Sequence, residues 1–125
     1  MNFKEVKTLA RDYVCAMLEF NELNSEYGRI SANRPHEYMA LETEADYNAF
    51  GEARKIYAMV ERGAHKKLKG AQKKVLEIEE PLKEFFRQDG HGKVTVIVSV
   101  NGNKYAVSYY DEAGYIDYIM TKKGE

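Results

Sequence analysis

Apolar and polar residues alternate most regularly in three short segments near the end of the chain, at residues 93–100, 103–110 and 115–120. A period of two predicts β-strands that are buried on one face. Asn101 and Gly102 separate the first two segments, and both tolerate the positive φ that a two-residue hairpin turn requires. The pattern therefore predicts a three-stranded antiparallel β-meander.

The turn at Asn101 and Gly102 also predicts the register of the meander. The expected pairs are Val100 with Asn103, Val98 with Tyr105, Val96 with Val107 and Val94 with Tyr109. Because successive side chains alternate, Ile116, Tyr118 and Met120 fall on the same face as these residues. We expect this face to be the inner one.

The outer face of the predicted meander is more apolar than a solvated face normally is. Ile97, Tyr110, Tyr115 and Ile119 fall on it, among small and polar residues. A three-stranded sheet also has two open edges. Two interpretations follow: a mixed outer face exposed to solvent, or an outer face or edge that contacts a second chain.

Steps of three and four residues separate the apolar positions of the first part of the chain, which predicts a long helix. The apolar seam runs through Phe3, Val6, Ala10, Tyr13, Met17 and Phe20, is interrupted by the polar Asn24, and resumes at Tyr27. Such a seam is typical of coiled coils and helical bundles. Gly28 is expected to end this helix.

A second helical pattern follows, and two starts compete for it. Pro35 suits the first turn of a helix and is the start that we favour. Thr43, followed three residues later by Asp46, resembles a capping box and offers a later start. The seam that follows is at Ala49, Ala53, Ile56 and Val60.

Near Gly63 this seam changes phase. It resumes one residue out of step, at Ala64, Leu68, Ala71, Val75, Ile78, Leu82 and Phe85. One extra residue rotates a helical face by about 100°, so a break at Gly63 is favoured over one long helix. Pro81 is expected to kink or restart the last helical segment.

Helices followed by a meander predict the α+β class. The helical part, either a hairpin of long helices or three helices, is expected over residues 1–89, and the meander over residues 93–122. At 125 residues we expect a single domain spanning residues 1–125.

Composition narrows the class of protein. The net charge of −1 indicates neither nucleic acid nor membranes as a partner of the whole chain. The first residues lack the apolar segment of a signal peptide, and no run is long enough to span a bilayer. The single cysteine, Cys15, excludes an internal disulfide and is expected to be a small core residue. We expect a soluble cytoplasmic protein.

Charge is strongly segregated along the chain. Residues 13–52 carry two basic and eight acidic groups, whereas residues 53–76 carry eight basic and one acidic group. A second copy in antiparallel orientation would place one block against the other, which favours a homodimer. Complementarity with the helix dipole explains part of the pattern without any partner.

Catalytic and metal-binding signatures are lacking. The three histidines and one cysteine have no zinc-site spacing. The loop at residues 89–93 has two glycines beside a histidine and a lysine, but it lacks the spacing of a phosphate-binding loop, and a plain connector is the better interpretation. We therefore expect no enzyme activity, no metal and no cofactor.

One cluster of cations stands out as a candidate binding site. It consists of Arg62, Lys66, Lys67, Lys69, Lys73 and Lys74. These residues lie mostly outside the apolar seam and could contact phosphates of a nucleic acid or a nucleotide. No aromatic residue is interleaved among them to stack on bases. A solvated helix face is the competing interpretation.

The sequence therefore predicts a small non-catalytic interaction protein that forms a homo-oligomer and binds another macromolecule, with Tyr110 and Tyr115 as further contact residues. By analogy, small chains of this kind include phage or mobile-element accessory and inhibitor proteins. The alternative is binding of nucleic acid or a phosphorylated ligand through residues 62–74.

Overall fold

A computed structural model describes residues 1–34, 40–88, 91 and 93–121. It contains two helices, α1 (Phe3–Ala32) and α2 (Glu44–Arg87), followed by three strands, β1 (Val96–Val100), β2 (Asn103–Tyr110) and β3 (Tyr115–Met120). The prediction of an α+β fold with helices first is confirmed. Within the described residues there are two helices rather than three.

The chain forms two compact units. The sheet unit comprises Met1–Glu19 and Gln72–Glu125, and the hairpin unit comprises Phe20–Ala71. The expectation of a single domain stays a prediction.

The sheet unit contains the predicted meander in the predicted register. Val100 pairs with Asn103, Val98 with Tyr105 and Val96 with Val107, and β2 is the central strand. Asn101 and Gly102 have φ angles of 53° and 81°, as the hairpin turn requires.

The core of the sheet unit lies on the inner face of the sheet. It includes Val98 and Val107 from the strands, Val6 and Val14 from α1, and Leu82 from α2, all of them fully buried. Further contacts tie the helices to the sheet: Phe86 stacks on Tyr109, and the Tyr13 hydroxyl donates a hydrogen bond to the Ile116 carbonyl at 3.4 Å. Alternating valines thus provide an apolar surface that the helices cover.

Two residues at the ends of the inner face depart from the prediction. Val94 does not pair with Tyr109, because its N–H closes a turn onto the His91 carbonyl at 3.1 Å and β1 begins only at Val96. Met120 has the expected parity but is 52% exposed, since it is the last residue of the edge strand β3.

The predicted end of α1 at Gly28 is wrong. The helix continues to Ala32, and the side-chain amide of Asn33 donates a hydrogen bond to the Arg29 carbonyl at 3.0 Å. A glycine inside a helix costs only about 1 kcal/mol. It therefore need not end a helix whose next residues remain helix formers.

Pro35, the favoured start of α2, lies outside the described residues. Residues 40–43 are not helical, and α2 begins at Glu44. The alternative start is confirmed, since the Thr43 hydroxyl accepts a hydrogen bond from Asp46 N–H at 3.1 Å. Asp46 in turn accepts one from Thr43 N–H at 3.2 Å, which completes the capping box.

The predicted break at Gly63 is absent, because α2 is one continuous helix that includes both Gly63 and Pro81. Its less exposed positions include Tyr57, Glu61, Ala64, Leu68, Ala71, Val75, Ile78 and Leu82, at regular steps of three and four. The apparent phase change arose because Ile56 and Val60 belong to a different, exposed face of the helix. Pro81 forgoes one backbone hydrogen bond without ending the helix.

Candidate interaction surfaces

The structure distributes the six predicted cations over more than one surface. All six are exposed. Arg62, Lys66, Lys67 and Lys69 belong to the hairpin unit, and Lys73 and Lys74 belong to the sheet unit, where Lys74 pairs with Glu19 at 3.6 Å. Each residue of an α-helix is rotated by about 100° from the one before it, so Lys67 points well away from Arg62, Lys66 and Lys69. These cations therefore do not share a single helix face.

Tyr110 and Tyr115 form the last cross-strand pair of β2 and β3, and their rings stack at 5.1 Å. Both are about half exposed on the outer face. Ile97 and Ile119 flank Ala106 in a second row across the same face. The outer face thus carries an apolar row and an aromatic pair, both within the sheet unit.

A basic groove runs along the edge of β1, and we call it the edge groove. Lys4, Lys7, Thr8 and Arg11 of α1 line it on one side, and Val98 and Ser99 of β1 line it on the other, around a volume of 360 Å³. Steps of three and four place the four α1 residues on one helix face. The charged side chains among the described residues that line this groove are all positive.

The edge groove also exposes backbone hydrogen-bonding groups. Val100 and Asn103 flank the two-residue turn and so exchange hydrogen bonds with each other, and alternation in an antiparallel ladder then directs the N–H and C=O of Ile97 and Ser99 away from β2. Among the described strands, β1 has only β2 as a neighbour. The edge is therefore open to a further strand.

The hairpin unit has an apolar groove on one side of the seam between α1 and α2. Leu23 and Ile30 of α1 and Met59, Val60, Gly63 and Ala64 of α2 line it, with Glu26 and Lys67 at its rim. Beside it, Met59 is 70% exposed and Ile56 is 60% exposed. The groove encloses 180 Å³ and combines an apolar floor with one charge of each sign.

A cationic cleft lies on the other side of the same seam. Its volume is 520 Å³, and its lining includes Tyr27, Arg34, Arg54, Tyr57, Glu61, Arg62 and His65. Only Arg62 was predicted to be a site residue. The α2 members recur at steps of three and four, a pattern visible in the sequence, but nothing local indicated that Tyr27 and Arg34 of α1 complete the cleft.

Hydrogen bonds organise one wall of the cationic cleft. Arg34 Nε donates to the Tyr57 hydroxyl at 3.4 Å, and its terminal nitrogen lies 3.5 Å from a Glu61 carboxylate oxygen. The Tyr57 hydroxyl and then Arg34 lower the pKa of Glu61, which stays ionised near neutral pH. The Tyr57 hydroxyl, and then the Glu61 carboxylate, raise the pKa of Arg34.

The histidines, the cysteine and the glycine-rich loop were the residues considered for catalytic or metal-binding chemistry, and the structure describes part of them. They include no group of three or more histidine, cysteine or acidic residues that could hold a metal ion. His65 contacts Tyr27, and His91 stacks on Phe85, while His36 lies outside the described range. Cys15 was expected in the core but is exposed on α1. Asp89, Gly90 and Gly92 of the candidate loop are also outside the described residues.

The chain matches no protein-family model, no curated protein and no solved structure. Of the helices as far as they are described, neither is long and apolar enough to cross a membrane. What the protein binds must therefore be inferred from the chemistry of its own surfaces.

Proposed function

We propose that the protein is a non-catalytic interaction protein that forms a homodimer and binds an acidic, extended segment of another protein along β1. The observation that carries this function is the edge groove, where an open strand edge lies beside three cations. Such a chain can serve as an accessory or inhibitor protein. With an exposed thiol and no disulfide, it suits the reducing cytoplasm.

An open strand edge binds an extended peptide by adding it to the sheet as a further strand. The outward N–H and C=O groups of Ile97 and Ser99 supply the main-chain hydrogen bonds. Alternate residues of the added strand lie roughly 7 Å apart on one face. The cations Lys4, Lys7 and Arg11 are separated by about 4.5 and 6 Å along the helix axis. Acidic side chains at alternate positions of the peptide match this charge, and the long lysine and arginine side chains can span the difference in spacing.

Fluorescence anisotropy with two short labelled peptides tests the strand addition. One peptide alternates glutamate with valine, and the other alternates lysine with valine. We expect only the glutamate peptide to bind, and we expect Lys4→Glu, Lys7→Glu and Arg11→Glu together to weaken binding at least about tenfold. The same reversal at Lys55, Lys66 and Lys69, three exposed cations elsewhere, is the matched control and should leave binding nearly unchanged.

A second pair of variants separates strand pairing from simple charge attraction. Ser99→Pro removes the outward N–H, and an edge strand tolerates proline where its N–H faces solvent. Ser99→Ala keeps the N–H. Binding should be lost in Ser99→Pro and retained in Ser99→Ala. Equal binding by both variants would show that the peptide does not pair with β1.

Self-association is the second part of the proposal, and the hairpin unit supports it. Among the described residues of this unit, only Ala71 is buried. Two helices alone cannot enclose a core, and a stable bundle needs a second layer. The apolar groove around Val60, together with the exposed Ile56 and Met59, offers the surface that this layer would cover.

A second copy of the chain is the partner that the charges of this groove favour. In a two-fold interface the same patch meets itself, and Glu26 and Lys67 of this groove carry opposite charges, so two copies can pair the Glu26 of one with the Lys67 of the other. The acidic block of residues 13–52 and the basic block of residues 53–76 add complementarity to an antiparallel arrangement. The proposed dimer is therefore isologous and built on the hairpin unit.

A further inference from the structure

The cationic cleft of the hairpin unit gathers more positive charge than its neighbours neutralise. Arg34, Arg54 and Arg62 line it, together with His65, while Glu61 is the only carboxylate among the described residues of its lining. Three guanidinium groups around one cleft repel one another unless an anion joins them. The lining therefore favours a negatively charged ligand.

Glu61 is already engaged and neutralises only one of the three arginines. It pairs with Arg34 at 3.5 Å and also accepts a hydrogen bond from Tyr57. Arg54 lies over the Phe50 ring at 5.7 Å, and no carboxylate of the described chain is within ion-pair distance of Arg54 or Arg62. These two guanidinium groups are thus available to an anion that enters the cleft.

Arginine binds phosphate groups particularly well, because its planar fork donates two parallel hydrogen bonds to their oxygens. Arg54 and Arg62 are two helical turns apart on α2, a separation of about 12 Å along the axis. Side chains of this length can converge on a chain of two or three phosphates from opposite ends.

An aromatic wall beside the arginines suits a planar ring. Tyr27 and His65 lie 5.8 Å apart with their rings tilted by 54°. Tyr57 also lines the cleft, with Arg34 over its ring at 5.6 Å. Aromatic faces of this kind stack on nucleobases. The volume of 520 Å³ also falls within the usual range of small-molecule sites.

From these features we propose that the cationic cleft binds a nucleoside polyphosphate, with Arg54 and Arg62 holding the phosphates and Tyr27 contacting the base. The site lies on the opposite side of the α1–α2 seam from the apolar groove. It is a separate site from the edge groove and does not depend on peptide binding there.

Isothermal titration calorimetry at low salt tests the site, with ATP and inorganic triphosphate as probes. We expect ATP to bind and Arg54→Gln with Arg62→Gln to weaken its affinity by about tenfold or more. Lys55→Gln with Lys66→Gln removes the same charge from exposed positions outside the cleft and is the matched control. Equal losses in the two double variants would overturn the proposal, as would the absence of ATP binding to the unmodified protein.

Two further variants sharpen the assignment. Glu61→Gln removes the carboxylate that competes for Arg34 and should tighten ATP binding, whereas Glu52→Gln, outside the cleft, should not. Tyr27→Leu keeps an apolar residue in the seam and should weaken binding of ATP but not of triphosphate. If inorganic triphosphate binds as tightly as ATP, the nucleoside part of the proposal is overturned. If an oligonucleotide binds but ATP does not, the assignment of a small-molecule ligand is overturned.

Discussion

At the scale of single residues, Tyr13 shows how packing changes chemistry in this fold. Its ring is buried and meets Tyr118 edge to face at 6.2 Å, and its hydroxyl reaches the Ile116 carbonyl. Burial, with smaller contributions from Glu79, Tyr118 and Asp117, raises the pKa of Tyr13 to about 12. The phenol therefore stays protonated in the folded protein when an unfolded chain would ionise.

Because of this pKa shift, the free energy of unfolding changes with pH in the alkaline range. Between the ordinary tyrosine pKa of about 10 and the raised value, the folded state binds the proton more tightly than the unfolded state, so stability falls as pH rises. In urea unfolding experiments at several pH values, Tyr13→Phe should lose less stability than the unmodified protein above pH 10. Parallel pH profiles for the two proteins would contradict this role of Tyr13.

At the scale of elements, the sequence predicted those features that local chemistry determines. Asn101 and Gly102 favour a two-residue hairpin turn, and this turn alone determines the register of β1 and β2. The sequence predicts two possible starts of α2, the capping box at Thr43 and the favoured Pro35, and the capping box is present in the structure. Both residues have the right local chemistry for a helix start, and local chemistry alone could not rank them.

Features that depend on distant residues could not be predicted in this way. Ile56 and Val60 were assigned to a buried seam because they are apolar at helical spacing, yet they are exposed, and Glu61 occupies the less exposed position. An amphipathic pattern gives the faces of a helix but not which face its own chain covers. The cationic cleft was missed for the same reason, since Tyr27 and Arg34 reach it from the other helix.

The start of α2 leads to a second prediction. Thr43→Ala removes the hydroxyl that accepts the Asp46 N–H and should destabilise the helix by about 1 kcal/mol. Thr43→Ser keeps the hydroxyl and is the matched control. Urea unfolding followed by circular dichroism measures the difference, and equal stability of the two variants would contradict a capped start at Thr43.

At the scale of the whole molecule, each unit exposes a surface that a binding partner could cover. The sheet unit has a well-packed core and an open, basic edge at β1. The hairpin unit has almost no core of its own and exposes an apolar groove. These two exposed surfaces support the proposal of an interaction protein.

Sedimentation velocity at micromolar concentration tests this account most directly. We expect the unmodified protein to sediment as a dimer of the 14.4 kDa chain, and Val60→Asp, which places a charge in the apolar groove, to sediment as a monomer. Ala58→Asp makes the same change on the other side of the α1–α2 seam and should remain dimeric. A monomeric unmodified protein, or a dimer that Ala58→Asp dissociates and Val60→Asp does not, would contradict the account.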